Sequence, residues 1–183
     1  MVPDTRMRLA AVVKALDDIV TPVIPADAKF AHEQLALIKQ SIRIVMDQIP
    51  HEYGFIVRDA QDYVQLAADL AAGMPEDSPA RSRLMEYAER GKSIIPAEVP
   101  DRPMVENYLG GLKKDVENAV EAIFALPDET MRRTLSRLIL DHSERQTLRE
   151  RVWVAATGFD TDPQSLPSME AVIYGERDSI SRS

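Results

Sequence analysis

Apolar residues recur along this chain at helical spacing, in blocks bounded by prolines. Pro3, Pro22, Pro25, Pro50, Pro75, Pro79, Pro96, Pro100, Pro103, Pro127, Pro163 and Pro167 stand at or between the block edges. A proline inside a helix removes a donor and clashes with the preceding turn, so these positions delimit helices. Segment 4–21 opens on Asp4 as an N-cap and lines up Leu9, Val12, Val13, Leu16, Ile19 and Val20. Segment 26–48 carries a main stripe of Ala31, Leu35, Ile38, Ile42, Val45 and Ile49, and a second line of Phe30, Leu37 and Ile44 at heptad spacing. A helix apolar on two faces is buried on both, either centrally or at a subunit contact.

Four further segments follow the same logic. Segment 55–72 is rich in alanine and carries Asp59, Asp62 and Asp69, which read as a solvated acidic face. Ser78-Pro79 opens a short helix around Leu84, Met85 and Ala88, with Gly91 as its stop. Segment 103–126 stacks Val105, Leu109, Leu112, Val116, Ala119, Val120 and Ile123, and Gly110-Gly111 marks a kink or a close contact. Asp128 caps a helix running to about Ala156. Between helices, residues 91–103 form a proline-rich connection and a candidate hinge. Beyond Gly158 there is only a short amphipathic patch (Met169, Val172, Ile173), and the end of the tail reads as disordered. No segment alternates with period two. The expectation is an all-α bundle of five to seven helices, with one domain over 1–160 and a tail over 161–183.

Composition narrows the chemistry more than the fold. There is no cysteine, so disulfides, thiolate nucleophiles and sulfur-ligated metals are excluded. The three histidines, His32, His51 and His142, match no metal-ligand spacing: His32-Glu33 and His51-Glu52 meet Ala36 and Phe55 where a zinc motif needs its second histidine. No metal or cofactor is therefore expected. The net charge is −8, and each half of the chain carries −4, which disfavours nucleic acid as a partner. No apolar stretch reaches the length of a membrane span, and the first residues lack the apolar run of a secretory leader. A cytoplasmic setting is expected.

One helix carries the chief irregularity. On the 128–156 segment, Met131, Leu135, Leu138 and Ile139 lead along one face to His142, Gln146 and Arg149, and then to Trp153 and Ala156. In a pocket, such a trio could bind an anionic or acyl ligand, with Tyr108 and Lys113 of the preceding helix lining it. If the helix is re-phased near 141–145, the trio faces water instead. Gly91-Lys92-Ser93 lacks the rest of a phosphate loop, and no serine stands in a nucleophile-elbow context, so no catalytic residue is assigned.

The stretch Arg8–Val45 resembles the opening of an uncharacterised family of bacterial all-helical proteins. The shared features are the turn Ile19–Ile24, the acidic link Ala26-Asp27 and the helix opening Lys29–Gln34. Members of that family have no assigned reaction, and some are encoded near phosphotransferase-like and acyl-CoA dehydrogenase-like enzymes. The resemblance implies an accessory role and transfers no site residue. Two functions remain in view. One is a non-catalytic bundle that associates with itself as a homodimer, or with another protein, through Phe30, Leu37 and Ile44. The other is a small-molecule-binding bundle or enzyme built around His142, Gln146, Arg149 and Tyr108.

Overall fold

A computed structural model describes residues 4–95, 101–158 and 160–175, and among them the fold is all-α with no strand. Its helices are α1 (Thr5–Ala15), α2 (Lys29–Gln48), α3 (Glu52–Gly73), α4 (Pro79–Ile94), α5 (Arg102–Phe124), α6 (Glu129–Val154) and α7 (Met169–Tyr174). The central segment of the expected hinge, 96–100, and the end of the tail, 176–183, lie outside the described residues.

Local chemistry accounts for the boundaries. Asp4 accepts the Met7 amide at 2.7 Å, and Asp128 accepts those of Thr130 and Met131 at 2.8 and 3.1 Å. Each carboxylate satisfies amides that have no partner inside the first turn. Pro79 and Pro103 stand in the first turns of α4 and α5, where a missing N–H costs nothing. After α1 the chain widens into a π-turn, Leu16–Val20, and then tightens into a 3₁₀ turn, Thr21–Val23. Pro22 cannot donate back to the helix, and the Thr21 hydroxyl donates to Leu16 O at 2.8 Å.

Two compact units emerge: Met1–Glu52 with Arg151–Met169, and Tyr53–Glu150 with Glu170–Ser183. These boundaries do not coincide with the 160/161 division drawn from the sequence.

The second unit holds the core. Leu66, Leu70, Leu84, Leu112, Val116, Ile123 and Leu135 are buried together, and Ala60, Val105 and Leu109 form an adjoining cluster. Glycines let aromatic rings approach closely. A Cβ at Gly91 would fall closer than 3.0 Å to the Tyr108 hydroxyl and Val64, and one at Gly111 would stand 2.6 Å from the Tyr87 hydroxyl. Gly91 thus lies buried within α4 and does not stop it, because Tyr108 occupies the space a side chain would need. Gly110-Gly111 interrupts nothing, since α5 is continuous; Gly111 is the close contact and Gly110 faces open space.

The first unit is built differently. Antiparallel α1 and α2 are joined by the loose ion pair Arg6–Asp47 at 3.8 Å, and the π-turn after α1 is tied to α2 by Lys39–Asp17 at 2.7 Å and the looser Arg43–Asp17 at 3.8 Å. Gln48 and Gln40 donate to Trp153 O and Ala156 O at 2.9 and 3.3 Å. Arg151 forks onto Asp160 with two contacts of 2.9 Å, and this pairing, aided by the Asp162 amide, holds the Asp160 carboxyl down at about 2. Yet the buried apolar side chains of this unit are only Val13, Leu35 and Val152 among the described residues.

Candidate functional site

The polar trio of α6 does not face water. His142 and Arg149 are each only 3% exposed, and Gln146 is half-buried. The helix is not re-phased, so the 3.6-residue period carries these groups inward along the line begun by Leu135.

Their partners come from the face of α3 read as solvated. Asp59 and Asp62 are buried, against that expectation, because both grip one guanidinium. Arg149 Nη2 donates to Asp59 at 2.8 Å and Nη1 to Asp62 at 2.5 Å. Lys113 of α5 donates to the second Asp59 oxygen at 2.6 Å, and Arg58 approaches Asp62 at 3.2 Å. The Arg149 guanidinium also lies 5.7 Å from the Phe55 ring, and Lys113 Nζ 4.9 Å over the Tyr63 ring. Three helices of the second unit are thereby tied through one buried ion network.

His142 completes the cluster from the apolar side. Its ring meets Tyr63 edge-on, with centroids 4.5 Å apart, and neither ring nitrogen has a hydrogen-bond partner among the described residues. Burial depresses its pKa below the ordinary histidine value; Asp62 and Asp59 oppose that shift, and Arg145 and Arg149 reinforce it. The ring is therefore neutral at physiological pH. Tyr63 donates to Gln146 Oε1 at 3.3 Å, and burial raises its own pKa.

Such an arrangement positions helices more than it recruits ligands. The fork expected to hold an anion is already occupied by two carboxylates of the protein itself. Tyr108 does not join the cluster: its hydroxyl donates to Tyr87 O at 2.7 Å, and burial pushes its pKa up to about 12. Lys113 does join it, though as a partner of Asp59. The signal for Asp59 and Asp62 was present in the sequence. At 100° per residue they lie within about 40° of Leu66, on the core line of α3.

The other expected site, on α2, is divided by the structure. Phe30 and Leu37 are 73% and 55% exposed, while Ile44 is half-buried. A separate cavity of about 530 Å³ lies between α3 and α4, floored by Val64, Ala68, Ala71 and Ala88. Its cations are engaged, Arg81 with Ala71 O at 3.1 Å and Lys92 with Glu89 at 2.7 Å. No group of three or more acidic or imidazole side chains able to hold a metal is present among the described residues, nor is any helix long and apolar enough to cross a membrane.

Fold and site together define an all-helical protein whose most developed polar feature is an internal ion network. No family model matches the chain, and no curated protein or solved structure is significantly similar to it.

Proposed function

We propose that this chain is a non-catalytic helical protein that works by association, in the first place with a second copy of itself, as an accessory component in the cytoplasm. The observation that carries this reading is the first unit's uncovered apolar surface. Met7, Val12, Ile19, Val20, Val23, Phe30, Leu37, Ile38 and Val45 are each more than a third exposed, with Val23 and Phe30 above 70%. Scattered surface hydrophobics are ordinary, but nine within two consecutive helices and their connection are not. Large apolar side chains bury roughly 150–250 Å² when aromatic and somewhat less when aliphatic. At on the order of 100 Å² still uncovered on each, the nine match the roughly 800 Å² per partner of a standard interface.

The ligand-binding alternative draws less support, because Arg149 is neutralised internally and Tyr108 stands elsewhere. Sedimentation velocity from low to high micromolar concentration tests the reading. The expected species at the upper end has twice the 20.5 kDa chain mass, and Leu37→Glu shifts it to the single-chain mass with helicity unchanged. A wild-type chain that sediments as a monomer throughout contradicts it.

A further inference from the structure

Within the second unit, the two halves of α6 are held by different means. The first half is anchored in the core by Met131, Leu135, Leu138 and Ile139. From residue 140 to residue 150 no apolar side chain is buried: Leu140 is 58% and Leu148 37% exposed, and the buried residues are His142 and Arg149. The polar and ring contacts of this stretch beyond α6 run to α3. They are the edge-on meeting of His142 with Tyr63, the Tyr63–Gln146 hydrogen bond, and the grip of Asp59 and Asp62 on Arg149 beside Phe55. We propose that this half-helix is an acid-released latch: protonation of His142 frees residues 140–150 from α3 while the first half of α6 and the core stay folded.

The surroundings of His142 admit only the neutral ring. The adjoining network sets three cations, Arg58, Lys113 and Arg149, against two carboxylates, Asp59 and Asp62, so it already carries one positive charge in excess. Both carboxylates are committed to those cations, and neither ring nitrogen has an acceptor among the described residues. Arg145, on α6 itself, adds to the positive field at the ring. Glu117 of α5 and Glu150 of α6 act on Tyr63 but reach neither nitrogen. An imidazolium here is a buried charge without a partner, beside an excess of its own sign. Opening gives it water. When Arg149 leaves with the latch, Asp59 keeps Lys113 and Asp62 keeps Arg58, a balanced set of two and two, so the face of α3 left behind needs no other change. Burial already holds the ring below its ordinary pKa of 6.5, which places the proton on the open form. The opening constant is therefore flat above about pH 6.5 and rises by up to about tenfold per unit below it.

Native-state hydrogen exchange in low urea tests the latch, at about pH 7.5 and about pH 5 with intrinsic rates corrected. In wild type the opening constant for amides of residues 140–150 is expected to rise by roughly tenfold or more between the two conditions. It is also expected to be insensitive to low urea and to exceed the global unfolding constant that amides of Val105–Ile123 report, because a local opening exposes little surface. His142→Phe, which keeps the ring edge against Tyr63 and takes up no proton, is expected to hold the same opening constant at both pH values. Where circular dichroism shows that variant unfolded, His142→Gln, also uncharged at both, provides the comparison. His32 and His51 remain in each variant, so a rise that persists without His142 belongs to them and overturns the latch. Equal opening constants at the two pH values in wild type overturn it as well. So does exchange over 140–150 that coincides with global unfolding at both, since the half-helix then does not open by itself.

Discussion

The two units of this molecule draw on the same helical periodicity and reach opposite outcomes. In the second unit, α3, α5 and α6 close their apolar stripes over a continuous core and seal a five-charge network beside it. In the first, α1 and α2 meet along a charged seam, bury Val13 and Leu35, and leave most of their large apolar side chains in contact with solvent. Amphipathic periodicity therefore establishes that a face needs covering, while the covering itself depends on how many helices converge there. Two helices alone offer too little surface for a stable core, and in the proposed reading a second copy supplies the remainder.

The comparison can be broken most forcefully at the ion network. Arg149→Met leaves Asp59 and Asp62 buried without their shared cation, and the expected loss is about 3–5 kcal/mol in urea unfolding. A loss below about 1 kcal/mol would mean that the network does not tie the second unit. The contrast between units sharpens with truncations on each side of it. Leu112→Ala, at a fully buried position, is expected to cost about 2–5 kcal/mol, whereas Leu37→Ala in dilute solution is expected to cost no more than about 0.5 kcal/mol. Equal losses at the two positions would remove the distinction.

His142 supplies a subtler separation through pH. Its folded pKa is depressed by burial below the 6.5 of the free ring, so the unfolded chain takes up the proton first. The stabilisation is complete above about 6.5 and is lost as pH falls from there toward the depressed folded value. Urea titrations of wild type between pH 8 and 5 should show the unfolding constant rising by up to about tenfold per pH unit below 6.5. His142→Phe, which keeps the edge contact with Tyr63, should lack that component. Identical slopes for the two proteins would place the titration elsewhere.

Much of the fold was legible in the sequence, because prolines and caps act locally. Asp4, Ser78-Pro79 and Asp128 open helices where the pattern placed them, and the 103–126 stripe is the buried face of α5 with Val120 at its margin. The misreadings arose where a residue's meaning depends on another helix. Gly91 looked like a terminus because its reason, the approach of Tyr108, comes from α5. Asp59 and Asp62 looked solvated because their partner stands some 90 residues along the chain. The inward phase of His142 and Arg149 could be read from helical spacing, but the carboxylates that occupy Arg149 could not. Exposure of Phe30 and Leu37 likewise follows from which helices converge, and no local pattern encodes that.

The central claim is that one unit is complete in a single chain and the other is completed by association. Native-state hydrogen exchange, followed segment by segment at low and high protein concentration, tests it most directly. Protection over Lys29–Gln48 is expected to rise with concentration, while protection over Val105–Ile123 stays constant. Equal protection of both segments at every concentration, in a chain that remains monomeric, would contradict it.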